Sequence, residues 1–65
     1  MKEFTVAPNK DVTGWYVKIE DVAPTDLYDM RSTAIEKAEE MAKGDSPSRL
    51  LILNEQHEVE EERSF

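Results

Sequence analysis

The side chain with the widest chemical reach in this sequence is a single histidine, His57, set among the carboxylates Glu55, Glu58, Glu60 and Glu62. A general base needs an orienting partner and a pocket that holds the proton it removes. His57 instead falls in an expected exposed turn between glutamates, where it reads as a plain surface histidine. One histidine with neighbouring glutamates on a loop matches neither tetrahedral zinc ligation nor a calcium loop, so no metal is expected. Alternation along a strand would put Glu58, Glu60 and Glu62 on one face. A hydrolytic carboxylate pair needs a cleft that splits two pKa values, and an edge-strand face supplies none.

The remaining nucleophiles are equally unpromising. Ser32, Ser46, Ser48 and Ser64 sit at expected caps, turns and an edge, and none follows the strand-to-helix pattern of a nucleophile elbow. Gly14 and Gly44 are the two glycines, so no glycine-rich phosphate cradle exists. There is no cysteine, hence neither a thiol nucleophile nor a disulfide. These readings together exclude an enzyme and any cofactor from the expected functions.

The elements that position these residues follow from hydrophobic period. Lys2 to Pro8 alternates, with Phe4 and Val6 on one face and Glu3 and Thr5 on the other, as a strand does. Pro8-Asn9-Lys10-Asp11 and Gly14 mark a turn. Trp15 to Glu20 is the clearest strand: Trp15, Val17 and Ile19 share a face, and Tyr16, Lys18 and Glu20 share the other. Asp21 to Asp29 reads as a connection in which Pro24 favours a turn, Leu27 or Tyr28 anchors to the core, and a short extra strand would fit. From Arg31 to Lys43 the period becomes helical, with Ala34, Ile35, Ala38, Met41 and Ala42 in one stripe. Asp29, Ser32 and Thr33 are each suited to cap its start, Glu39 and Lys43 are spaced to pair, and Gly44 is placed to stop it. Arg49 to Leu53 ends in an unbroken apolar run and reads as a strand covered on both faces. Asn54 to His57 is a turn without glycine, for which a type I geometry or a longer loop is expected. Val59 to Phe65 alternates weakly, with Val59, Glu61, Arg63 and Phe65 on one side and Glu58, Glu60, Glu62 and Ser64 on the other, and reads as a highly charged edge strand.

Size and charge narrow the class. The chain has 65 residues with 38% hydrophobic content, enough for one domain spanning residues 1–65 but near the lower limit for independent folding. Net charge is −7. The first 33 residues carry four basic and six acidic side chains, and the other 32 carry four and nine, so −5 of the total lies in the second half. Such a surface repels phosphate backbones and anionic lipid, which argues against nucleic-acid or membrane partners. Met1-Lys2-Glu3-Phe4 begins no apolar leader, and Leu50 to Leu53 is far too short to span a bilayer, so a cytoplasmic location is expected.

Element order and particular residues also resemble a small bacterial family, the domain of unknown function numbered twenty-one eighty-eight. The resemblance is carried by Gly14-Trp15-Tyr16-Val17-Lys18, by Ala34-Ile35-Glu36-Lys37-Ala38-Glu39-Glu40-Met41-Ala42, by Leu50 to Leu53, and by the ending Glu61-Glu62-Arg63-Ser64-Phe65. It covers nearly the whole chain. Two departures stand out: Gln56-His57 replaces an Asp-Gly common in the last turn, and Met30 stands where threonine is frequent. The resemblance implies no activity, ligand or catalytic residue.

The expected fold is therefore α+β, β-β-α-β-β, with a four-stranded, mainly antiparallel sheet and one helix packed on one face. Trp15, Val17, Ile19, Ile35, Ala38 and Met41 would build the core. One helix leaves one sheet face open, so Tyr16 and Lys18 with Leu51 and Leu53, or the alternate pair Leu50 and Ile52, would form a contact surface there. The expected function is a non-catalytic protein-interaction module whose partner is another protein or a second copy in a homodimer. The alternative is an acidic decoy that imitates DNA and occupies a nucleic-acid-binding protein.

Overall fold

The computed structural model describes residues 2–20 and 27–65. The expected turn around Pro24 lies outside the described residues. Two strands, β1 (Lys2–Pro8) and β2 (Trp15–Ile19), are followed by a two-residue strand, β3 (Leu27–Tyr28), then a helix, α1 (Arg31–Gly44), and two more strands, β4 (Ser48–Leu53) and β5 (Val59–Ser64). The five strands form one sheet in the order β3-β2-β1-β4-β5.

This corrects the expected four-stranded, mainly antiparallel sheet. The sheet has five strands and is mixed, because β1 and β4 are parallel while the other neighbours are antiparallel. The cause is β3. Without it, the chain would leave β2, cross through the helix and return antiparallel to β1. Two residues of β3 reverse the chain once more, so α1 runs down and β4 comes back up beside β1.

Register separates the two faces. Phe4 pairs with Ile19 and Leu50, and Val6 with Val17 and Ile52, so these side chains share the face that α1 covers. Phe4, Val6, Trp15, Val17, Leu50 and Ile52 are buried there against Ala34, Ala38 and Ala42 of the helix. Alanines four residues apart present a flat stripe that lets the helix sit close to the sheet. Ile35, Met41, Ile19, Tyr28 and Phe65 pack around the rim of this cluster. Fully burying each large side chain contributes about 1.5–3 kcal/mol before entropy is charged against it.

Several local features differ from the expectation. The run Arg49 to Leu53 is covered by the helix on one face only: Leu50 and Ile52 are buried, whereas Leu51 and Leu53 are partly exposed. The helix N-cap is Met30, with no side-chain cap bond, so none of Asp29, Ser32 or Thr33 serves. Gly44 is the last helical residue, and the Asp45 N–H closes the end on the Ala42 carbonyl at 3.2 Å. Glu39 pairs with Arg63 of β5 rather than with Lys43. Ser48, fully buried at the start of β4, donates its hydroxyl to the Ala42 carbonyl at 2.6 Å and so ties sheet to helix.

Candidate docking face

The face away from α1 carries the next set of register partners. Tyr16 pairs with Ala7 on one side and with Leu27 on the other, and Leu53 pairs with Val59. Continuing the parallel register one residue past Val6 and Ile52 puts Ala7 beside Leu53. The result is one row across all five strands, Leu27–Tyr16–Ala7–Leu53–Val59, in which every residue is apolar or aromatic. The ends of this row, Leu27 and Val59, are each 58% exposed. The next row is Lys18–Thr5–Leu51–Glu62, and the one below it carries Glu3, Arg49 and Ser64, with Glu20 following β2 beside Glu3. The open face is therefore apolar at the end where β1 and β4 finish and charged at the end where they begin.

All four residues expected from the sequence to form a contact surface lie on this face. Tyr16 and Leu53 stand in the apolar row, and Lys18 and Leu51 in the row beneath. The row also holds Ala7, Leu27 and Val59: of the two residues expected to anchor the connection, Tyr28 packs against the core and Leu27 is exposed on this face. Alternation along Lys2–Pro8 already sets Ala7 with Glu3 and Thr5, so that signal was present. Simple alternation sets Val59 with Glu61 and Arg63, and the bulge explains the difference. Val59 faces Leu53 and Glu61 faces Ile52, which leaves Glu60 as an extra residue in β5. Val59 is thus turned to the open side, while Glu61 and Arg63 lie on the helix side. The bulge also breaks the expected glutamate face. Glu60 turns to Arg31 at 2.9 Å, and Glu62 lies 3.6 Å from Arg49.

Two loops crown the apolar end, and both are built the same way. In the first, the Val12 N–H donates to the Asn9 carbonyl at 3.1 Å, and the Asn9 side chain accepts from the Thr13 N–H at 2.8 Å. In the second, the His57 N–H donates to the Asn54 carbonyl at 3.0 Å, and the Asn54 side chain accepts from the Gln56 and Glu58 N–H groups. Each asparagine satisfies the turn's own backbone donors. The fourth residue of each turn is left-handed, with φ of 54° at Val12 and 62° at His57. Glycine usually takes that position after a type I turn in a hairpin. His57 lies 3.1 Å through Nε2 from the Pro8 carbonyl, which joins the two loops. Gly14 closes the first loop against β3, where an added Cβ would stand 3.0 Å from Leu27 Cγ and 3.1 Å from the Tyr28 carbonyl oxygen.

A second feature lies at the same end but on the helix side. Trp15, Arg31, Asn54, Glu55, Gln56 and Glu60 line a cleft of about 280 Å³. Arg31 holds its guanidinium carbon 5.5 Å from the Trp15 ring centre and pairs with Glu60. The cation that could attract a ligand is therefore already engaged with an aromatic face and a carboxylate. At the charged end of the open face, Arg49 bonds Glu3, and this bond, with the nearby Glu62 charge, pushes its pKa further up. On the helix side, the hydrogen bond from Arg63 holds Glu61 below the usual carboxylate range. Among the described residues, no group of three or more histidine, cysteine, aspartate or glutamate side chains is placed to hold a metal ion.

The sequence profile of a family described as an uncharacterized protein conserved in bacteria matches residues 4–65. The chain belongs to the domain-of-unknown-function family DUF2188. A curated relative, the uncharacterized protein YycD of Bacillus subtilis (strain 168), is 48% identical over 65 residues, covering 100% of this chain and 98% of its own. No solved structure matches. The DUF2188 match takes in most of β1, all of β2 to β5 and the helix, and so both the apolar row and its loops.

Proposed function

We propose that this chain is a non-catalytic interaction module that docks a protein partner on the open face of its sheet. The observation that carries the reading is the row Leu27–Tyr16–Ala7–Leu53–Val59. Leu27 and Val59 at its ends are exposed, Tyr16 and Leu53 are partly exposed and Ala7 is buried between them, and a partner that covers the row removes the cost of the apolar area left in water. Strain supports the same end of the molecule: a β-branched valine at positive φ is costly, and such costs gather where a surface is shaped for contact. The titratable groups that depart most from ordinary behaviour, Arg49, Glu61 and Arg63, are ion-paired surface residues rather than members of a pocket. Among the described residues, no helix is long and apolar enough to cross a membrane.

The decoy reading has less support. A DNA mimic presents free carboxylates spaced like phosphates. Here Glu3, Glu39, Glu60, Glu61 and Glu62 each stand against an arginine. In-cell photo-crosslinking tests the docking role. A crosslinking residue at Tyr16 should yield a covalent adduct, while one at Glu36 on the exposed side of α1 should not. Adducts at Glu36 but not at Tyr16 would move the contact surface to the helix and refute the reading.

A further inference from the structure

Building on the docking role of the open face, we infer that its occupant is a second copy of this chain, packed face to face with the two-fold axis running along β1. The sheet order makes β1 the middle strand of five. A two-fold along it lays β2 over β4 of the second copy and β3 over β5. Each row of the open face then meets itself reversed. In the apolar row, Leu27 lies over the second copy's Val59, Tyr16 over its Leu53, and Ala7 over its Ala7. The smallest side chain falls on the axis, where the two backbones come closest.

In the charged rows the same operation brings further partners to groups that Arg49 already engages within its own chain, Glu3 and Glu62. Glu20 on the β2 side falls over Arg49 of the second copy. Lys18 falls over Leu51, with its stem on the leucine and its ammonium reaching toward the neighbouring Glu62. Two-fold symmetry makes each of these pairs twice. The two Glu3 carboxylates approach on the axis, and each already accepts a hydrogen bond from its own Arg49. A rotation that instead opposed the apolar end to the charged end would bury carboxylates against leucine and valine.

The size of the face sets the strength. Five strands spaced about 4.8 Å apart, and about five residues rising about 3.3 Å each, give a face of about 24 by 17 Å. Two such faces remove about 800 Å² from water, below the about 1,200 Å² at which standard specific interfaces begin and in the range of weak, transient ones. The dimer is therefore weak, with a dissociation constant in the micromolar range. Each copy carries −7, so long-range repulsion opposes assembly and is relieved by salt. Association accordingly strengthens between about 10 mM and about 150 mM salt, the opposite of what a basic partner would show.

Sedimentation equilibrium of the full chain at the two salt concentrations tests this, with circular dichroism confirming each variant's fold. Tyr16→Glu should raise the dissociation constant about 100-fold, because two unpaired charges become buried in apolar surroundings. Glu20→Arg and Arg49→Glu should each raise it about tenfold by opposing like charges, and the double variant should restore most of the loss. A dimer insensitive to Tyr16→Glu, or a double variant no better than the singles, overturns the two-fold arrangement. A chain that stays monomeric at all concentrations and salts, while Tyr16 still crosslinks to another protein in cells, overturns the second copy and leaves the docking role standing. Monomer together with no Tyr16 adduct removes both.

Discussion

Leu50 and Leu51 are neighbours in β4 with identical side chains, yet the fold assigns them opposite fates. Leu50 is fully buried beneath α1, and Leu51 is partly exposed on the open face. Leu50→Ala removes three carbons from a closed cluster that relaxes only in part, at a cost of about 2–5 kcal/mol. A domain this small has about 3–5 kcal/mol of net stability to lose. The variant should therefore be largely unfolded at room temperature, or melt at very low denaturant. Leu51→Ala removes the same atoms from a site that water already reaches and that leaves no closed cavity, so only part of the transfer energy, about 1 kcal/mol, is at stake. The difference of about 1–4 kcal/mol corresponds to about a 5-fold to 1,000-fold change in the folded-to-unfolded ratio. Urea melts followed by Trp15 fluorescence, at protein concentrations too low for self-association, would measure it. Because Leu51 belongs to the proposed contact surface, its loss should appear instead as weaker association at high concentration. Equal destabilisation by the two substitutions would mean that α1 does not shield one face alone, and the open-face argument would fail with it.

Val12 offers a gain in stability. It is exposed and holds φ at 54°, a conformation that asparagine tolerates and a β-branched residue does not. Val12→Asn should raise stability by about 1 kcal/mol, and an unchanged or lower urea midpoint would show that the valine is held there by packing. Acid sensitivity should involve Glu61. Its folded pKa is held down by the Arg63 hydrogen bond, so its contribution is complete above the unfolded carboxylate pKa and disappears as pH falls through the lowered folded value. Glu61→Gln should make the acid-side decline in stability shallower while leaving its shape near neutrality unchanged, and identical pH profiles would remove this pair from the account.

Much of the architecture was legible from side-chain order alone. The two-residue period of Lys2–Pro8 and Trp15–Ile19 determined which residues share a face, because alternate side chains of a strand must point to opposite sides. The alanine stripe of α1 followed from its helical period in the same way. These are local consequences of backbone geometry, and Tyr16 and Lys18 fell on the uncovered side for that reason. The face of β4 was not legible: Leu50, Leu51, Ile52 and Leu53 are all apolar, so the run carries no period. Only packing decided that Leu50 and Ile52 meet the helix, through the parallel register with Phe4 and Val6.

Strand direction was also a tertiary outcome. Two residues, Leu27 and Tyr28, are too few to show periodicity, yet pairing with Trp15 and Tyr16 makes them a strand and reverses the sense of everything after them. The bulge at Glu60 depended likewise on β4 as a template, and it turned Val59 away from the strand-mates that alternation had given it. Sequence thus determined what each element would present, since that depends on neighbours along the chain. The continuous apolar row exists only because hydrogen bonding between distant segments set five separately ordinary side chains at one height.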